Sequence, residues 1–350
     1  MGSPLTSWHL NHGAVMADFD GINLPVRYDG VDVEIDAARS RAGLLDLSHL
    51  PTITITSPDA KRWCNGMFTN NIRKLTPGSG NRSVMCDDRG RVQGLIDLYC
   101  TADDTFWGVL EGVGLAWFQK RYGMYMILDD IELEDCTDEI AMLSLQGPKT
   151  DAMLSAVGLP VPEADYAILL GTHSDAEIQV ARRDRTGLGG VDLFVPHAAA
   201  SSLWAAMVEA GAAAIGQDAL DSLRILSGRA RWPQDGTAKS MVHELRLDKE
   251  CCAFDKGCYV GQEVINRIDV KGAIQKRLTG MRIDGAAPLG TLVWLGDRKI
   301  GTLTSSAIID GQRVGLAVLR KTAWEPGTAV TLQPEGGEEV AATIAEFPLA

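Results

Sequence analysis

Between Thr52 and Thr56 polar and apolar residues alternate strictly, and this period of two predicts a half-buried strand. The pattern then changes. Ser57 can cap a helix whose first position is Pro58, where the missing N–H costs nothing. Ala60, Trp63, Cys64 and Met67 follow at i, i+3, i+4 and i+7, one face of a short helix. A second helix opens near Pro148, buries Met153 and Val157, and stops at Gly158 with Pro160 beyond. A third carries Leu203, Trp204, Met207 and Val208 and ends at Gly211. Ile178–Ala181 and Val191–Val195 read as further half-buried strands. Short helices interspersed with such strands predict an α+β fold rather than a regular parallel sheet.

From Gln275 onward helical periodicity almost disappears. Leu292–Leu295 and Lys299–Thr304 flank Gly296-Asp297, a hairpin turn with a third residue before the second strand. Val314–Leu319, Ala329–Leu332 and Val340–Ile344 are separated by Gly- and Pro-containing turns, as in a small barrel or sandwich. The change of pattern sets a domain boundary near residue 278, dividing the chain into 1–278 and 279–350.

Composition narrows the possibilities. A chain of 350 residues, 45% hydrophobic, can bury a core spread over two or three structural units. A formal net charge of −13 argues against a nucleic-acid partner, which requires clustered positive charge. Arg182, Arg183 and Arg185 form a local basic cluster that reads as a solvated face. Lys271, Lys276 and Arg277 form another, equally compatible with a solvated face or a binding patch. No apolar run reaches the ~18–20 residues that span a bilayer, and Met1–Leu10 has no signal-peptide pattern. The seven scattered cysteines fit reduced thiols better than a disulfide framework. These features predict a soluble cytoplasmic protein without a membrane partner.

The chemistry concentrates in Asp255-Lys256-Gly257-Cys258-Tyr259-Val260-Gly261-Gln262-Glu263-Val264-Ile265-Asn266-Arg267. It reads as a glycine turn, a cysteine, and a helix opening near Gly261 and ending before Gly272. Lys256 and the positive end of that helix would both stabilise a thiolate on Cys258. Such a thiol suits a nucleophile, a metal ligand or a redox sensor, set against a buried, idle cysteine. Cys251 and Cys252 lie six residues or so upstream; their spacing matches no zinc pattern, and they read either as packing thiols or, with Cys258, as a cluster able to hold a metal or an iron–sulfur cluster transiently.

Lys-Gly-Cys-Tyr-x-Gly-Gln-Glu resembles the signature of the YgfZ family and its mitochondrial iron–sulfur assembly relatives, which share a fold with the T-protein of the glycine cleavage system. Ala42-Gly43-Leu44-Leu45-Asp46-Leu47-Ser48-His49 is similar to an early superfamily segment. Ser83-Val84-Met85-Cys86, Leu145-Gln146-Gly147-Pro148 and the block Asp221 to Asp235, with Arg224, Trp232, Gln234 and Asp235, extend the likeness over nearly the whole chain. The resemblance implies a three-domain α+β cloverleaf of the aminomethyltransferase type, with 51–137 a separate subdomain and a C-terminal β-barrel. It also implies a bound tetrahydrofolate.

T-proteins carry paired aspartates after the Val-Met-Cys segment, the second acting on the folate nitrogen and its aminomethyl donor. A carboxylate there can handle a proton or stabilise a developing iminium. Ungapped alignment on Val84-Met85-Cys86 puts Gly94 and Leu95 at those positions. Asp97, two residues on, keeps the same strand face but is displaced by about 7 Å. It is read as either a catalytic stand-in or a structural residue. The T-protein Gly-Tyr-Thr-Gly-Glu stretch appears here as Thr186-Gly187-Leu188-Gly189-Gly190, without the glutamate, and Arg82 replaces the tyrosine before Ser-Val-Met-Cys.

The resemblance therefore implies a reduced-folate-binding protein that supports assembly or repair of iron–sulfur clusters in client enzymes, including tRNA-modifying ones. Cys258 and Asp97 are the candidate catalytic residues. Arg224, Trp232, Lys256, Tyr259, Gln262, Glu263 and Arg267 are the candidate folate contacts, Arg224 as a guanidinium suited to an anionic glutamate tail. No metal site is assigned. His9 and His12 fall in an N-terminal segment expected to be mobile. The alternative is a folate-dependent aminomethyl- or methyltransferase.

Overall fold

The computed structural model describes residues 2–272 and 274–349. Two compact units emerge. The first takes in the chain up to Gly66 together with Asn70–Ser83 and Ile96–Leu220; the second comprises Met67–Thr69, Val84–Leu95 and the chain from Asp221 onward.

The first unit holds a six-stranded sheet in the order Ile168–His173, Ala176–Arg182, Gly190–Pro196, Ile140–Gln146, Gly43–Asp46 and Ala213–Ala214. Leu143, Leu145, Val180, Val191 and Leu193 from this sheet meet Leu203, Trp204 and Met207 of the helix His197–Glu209 in one buried core. The expected helical face is therefore the core face. At about 25 cal/mol per Å² of apolar surface, residues of this size each contribute roughly 1.5–3 kcal/mol on burial. The N-terminal segment is anchored, contrary to the expectation of mobility. It forms a helix, Thr6–Asn11, whose His9 is fully buried. His9 Nε2 lies 3.0 Å from Asp46 Oδ2, Tyr28 Oη lies 2.7 Å from His9 Nδ1, and Ser3 Oγ donates to Asp46.

A five-stranded sheet runs Ser79–Cys86, Val92–Ala102, Thr105–Glu111, Thr52–Thr56 and Glu132–Asp135. The alternating Thr52–Thr56 segment is the predicted strand, pairing with Thr105–Glu111 and Glu132–Asp135. The capping at Ser57 is also present, its Oγ accepting from Asp59 N at 3.0 Å, but the regular helix starts two residues later than Pro58, at Ala60.

In the second unit a closed six-stranded barrel orders Lys276–Ile283, Gln312–Arg320, Arg298–Ile309, Leu292–Leu295, Ala329–Gln333 and Val340–Ala345, the last pairing with the first. Met281, Val293, Leu303, Leu319, Leu332 and Ile344 fill its interior. The hairpin at Gly296-Asp297 is a two-residue loop, because Arg298 already pairs with Leu295 and Gly296 takes a positive φ of 59°. The extra residue is absorbed by an irregularity at Val293/Trp294. Among the described residues, no helix is long and apolar enough to cross a membrane.

Candidate functional site

The signature segment is a loop joining the helices Asp248–Cys251 and Gln262–Lys271. The second helix is bounded by Gly261 and Gly272, both left-handed, as their sequence positions predict. Gly261 has no room for a side chain: a Cβ there would lie 2.7 Å from the Asp87 carbonyl oxygen and 2.8 Å from Gly90 Cα. The loop is thus seated against the turn Asp87–Arg91, where Gly90 N donates to Asp87 O at 3.0 Å. Tyr259 and Ile265 are buried in a cluster with Val84, Cys86, Val242, Cys251 and Cys252.

Lys256 and Gln262 fasten this loop. Lys256 Nζ donates to Phe68 O at 2.7 Å and stands 4.8 Å from the centre of the Tyr259 ring, a cation–π contact. Gln262 Nε2 reaches back to the carbonyls of Lys256 and Gly257 at 3.3 and 3.4 Å. Lys256, expected to steady a thiolate, is thus engaged in holding the loop's shape. Cys258 precedes the first helical residue by four positions, outside the first turn where a helix terminus acts strongly.

The loop leaves Cys258 exposed, whereas the other six thiols are buried. Burial pushes Cys252 up to about 12 and raises Cys86, Cys100 and Cys136 as well. Cys251 and Cys252 are packing thiols, and among the described residues no group of His, Cys, Asp and Glu is placed to hold a metal. Glu263 and Arg267 are exposed on the helix. Tyr259 is nearly buried, and burial raises its phenol above the ordinary value.

Arg224 and Trp232 are engaged within the second unit. Arg224 Nε donates to Asp221 at 2.6 Å, Nη1 to Asp235 at 2.7 Å and to the Arg229 carbonyl at 3.1 Å, and Nη2 to Ser305 Oγ at 2.8 Å. These bonds occupy four of its five N–H groups, so the guanidinium offered to an anionic tail in the sequence reading instead ties the helix Gln217–Ser227 to the barrel strand Arg298–Ile309. Trp232 Nε1 donates to Gln93 O at 2.9 Å.

Asp97 belongs to the first unit, only 1% exposed. Arg82 Nη1 donates to it at 2.6 Å and Arg183 Nε at 3.0 Å, with Arg185 Nη2 at 3.7 Å. Burial by itself would raise the Asp97 carboxyl, but the fields of Arg183, Arg82 and Arg185 prevail and hold it below the usual carboxylate range. A carboxylate sealed among three guanidiniums has neither basicity nor access for proton transfer. Asp97 is therefore a structural ion-pair centre, which corrects its candidacy as a catalytic stand-in.

The same network corrects the solvated reading of the arginine cluster. Arg185 grips Asp192 through Nη2 at 2.8 Å and Nε at 3.0 Å, Arg82 Nη2 meets Glu111 at 2.5 Å, and Arg182 pairs with Asp151 at 2.9 Å. Gln146 closes the network, its amide donating to Ser144 Oγ and to Arg183 O at 2.9 Å each and accepting from Arg185 N.

Beside this network stand three aromatic residues that the sequence reading passed over. Phe194 lies 5.9 Å from Tyr99 and 5.6 Å from Trp107 between ring centres. The Tyr99 hydroxyl and the Trp107 indole N–H are buried and have no hydrogen-bond partner among the described residues. Burial, then the charges of Asp97 and Asp192, keep the Tyr99 phenol protonated. Orphaned buried donors beside an aromatic ring suit the polar edge of a planar ligand or an ordered water. The signal for them was the period of two: Asp97 and Tyr99 share one strand face, as do Trp107 and Glu111 on the adjacent strand.

A mixed α/β first unit followed by a closed six-stranded barrel is the architecture of the aminomethyltransferases. The fold aligns with the crystal structure of glycine cleavage system aminomethyltransferase T from Bartonella henselae at a TM-score of 0.90, covering 100% of this chain and 98% of that one at 20% sequence identity. Residues 5–256 match the GCVT N-terminal domain and residues 276–350 the glycine cleavage T-protein C-terminal barrel domain. The chain belongs to the glycine cleavage T-protein (GCVT) family. It is 31% identical to an aminomethyltransferase of Rubrobacter xylanophilus over 97% of this chain and 89% of that protein. An aminomethyltransferase of Chlorobium phaeovibrioides is 28% identical over 95% and 94%.

Proposed function

We propose that this chain binds a reduced folate in the cytoplasm and supports iron–sulfur enzymes, tRNA-modifying ones among them, through Cys258, rather than transferring an aminomethyl group. The observation that carries this reading is an inversion of exposure. The position where T-proteins present a carboxylate is Leu95, buried and apolar, and the nearest carboxylate, Asp97, is sealed by arginines. The one exposed thiol stands instead in the loop that resembles the YgfZ signature.

Tetrahydrofolate would find candidate contacts in the first unit only if the packing around Tyr99 and Phe194, both buried, opens. Phe194 and Trp107 would then supply aromatic surface, and Tyr99 Oη and Trp107 Nε1, which have no hydrogen-bond partner among the described residues, would supply donors for a heterocyclic edge. When bound, the reduced pterin offers a secondary amine able to accept a one-carbon unit. Around it, Tyr99 and Trp107 would orient the ring, and the Arg82–Glu111–Arg185 pairs would fix the charge beside it.

A second reading, a folate-dependent aminomethyl- or methyltransferase, is favoured by the names of the curated relatives, which are aminomethyltransferases. The two are separated in a strain lacking the gene. The activities of several [4Fe–4S] enzymes are measured after rescue with wild type or Cys258→Ala. Rescue by wild type alone supports the iron–sulfur role. Activities unchanged by deletion, together with formation of methylene- or methyl-tetrahydrofolate from glycine or a methylated amine by the purified chain, establish the transferase reading instead.

A further inference from the structure

The second unit contains a cavity of about 460 Å³ between the segment Asp235–Glu244 and the barrel strands that begin at Lys276. It falls within the ~300–1,000 Å³ span of small-molecule sites. Four cations line it: Lys239, Lys276, Lys299 and Arg320. None of the four makes an ion pair or side-chain hydrogen bond among the described residues.

Two carboxylates share the lining, and neither is ion-paired with these four cations among the described residues, although Glu244 keeps its charge there. Asp235 is consumed by Arg224 Nη1 at 2.7 Å, Arg231 N at 2.9 Å, Thr304 Oγ1 at 2.5 Å and Ser305 Oγ at 2.7 Å. Glu244 accepts from Met241 N at 3.1 Å. With Asp235 neutralised by Arg224, the cavity keeps a clear positive excess in a chain whose net charge is −13.

The strand register sets two of these exposed cations side by side. Lys276 and Arg320 are direct cross-strand partners on adjacent antiparallel barrel strands. Like charges in that relation stand about 5 Å apart at Cβ and destabilise the pair. A cavity of this size is roughly 10 Å across, comparable with the ~8 Å Debye length at physiological ionic strength, so salt screens its cations from one another incompletely. Buried Ile300 and part-buried Val318 give the lining apolar surface, and the hydroxyl of Thr302 adds a hydrogen-bonding group.

We propose that this cavity is a binding site for a small polyanion, a molecule carrying two or more adjacent phosphate or carboxylate groups. Such a ligand supplies the negative charge that the chain withholds from Lys276, Arg320, Lys299 and Lys239. The assignment is independent of folate binding in the first unit.

Isothermal titration calorimetry on the full-length chain at low ionic strength tests it, with inorganic pyrophosphate and triglutamate as the probes. Saturable one-to-one binding of either, weakening with added salt, is expected. Pyrophosphate alone would mark a phosphoryl ligand, triglutamate alone an oligocarboxylate, and both the shared chemistry. Lys299→Gln and Lys276→Gln should each weaken binding about tenfold, the loss of one charge-assisted contact. Lys276→Gln should also melt no lower than wild type without ligand, because it relieves the repulsion with Arg320, so its lost affinity is not a folding defect. Absence of binding by both probes, or binding undiminished in the Lys276→Gln/Lys299→Gln double variant, overturns the proposal.

Discussion

Gly261 and Gly90 approach so closely that a methyl group on Gly261 would sit 2.8 Å from Gly90 Cα. Gly261 also holds φ at +83°, a conformation that side-chain-bearing residues adopt only under strain. The loop carrying Cys258 is fastened here, and Gly261→Ala is expected to lower stability by about 1–3 kcal/mol. Limited proteolysis should then cut between Cys252 and Gly261 faster than in wild type. Equal cleavage rates would show that the loop is held elsewhere.

Exposure separates Cys258 from the other thiols. Native protein treated briefly with iodoacetamide is expected to gain one adduct, at Cys258, by mass spectrometry, and all seven only after unfolding. Cys258→Ala should change stability by no more than about 0.5 kcal/mol, as exposed substitutions do. Early labelling of Cys86 or Cys252 would contradict the packing described.

Asp97→Asn leaves Arg82 and Arg183 facing a neutral group in a buried site. Breaking such a network from one side costs about 3–5 kcal/mol. The folded-state carboxyl is held below its unfolded value, so its contribution is present above the ordinary carboxylate range of about pH 4 and is lost as pH falls through the lower folded value. Urea titrations across the acid range should show wild type losing this increment and Asp97→Asn lacking it. An acid profile unchanged by the substitution would refute the assignment.

Tyr99→Phe removes a hydroxyl that has no partner among the described residues. Stability should hold or rise slightly, since deleting an unsatisfied buried group removes a penalty. Tetrahydrofolate binding should weaken by roughly 2–10-fold, the value of one hydrogen bond of ~0.5–1.5 kcal/mol. Unchanged affinity, measured by fluorescence titration, would remove Tyr99 from the folate site.

The features legible in the sequence were those decided locally. Gly261 and Gly272 bracket their helix because each sits where the backbone turns left-handed, and Thr52–Thr56 declares its strand by alternation. Asp97 could be placed on a strand face, but not beside Arg183, 86 residues away. The basic run at Arg182 looked solvated because its carboxylate partners come from other strands and the helix Thr150–Ala156. Arg224 similarly finds Ser305 at a separation of 81 residues, a pairing no local pattern reveals. His9 lies near the terminus, where local pattern alone predicts mobility, while Asp46, 37 residues on, secures it.

The strands Ser79–Cys86 and Val92–Ala102 begin or end in different units, and their shared turn carries Val84, Cys86, Val92 and Leu95 into the second. Those apolar side chains are covered by Val242, Leu245, Cys251 and Tyr259, while Trp232 donates to Gln93 across 139 residues. During synthesis the hairpin therefore leaves the ribosome well before its cover exists. At about 5–20 residues per second it waits several seconds or more with greasy positions uncovered. That interval leaves the hairpin open to a holdase chaperone, and it means that this unit is completed only after much of the first has been made.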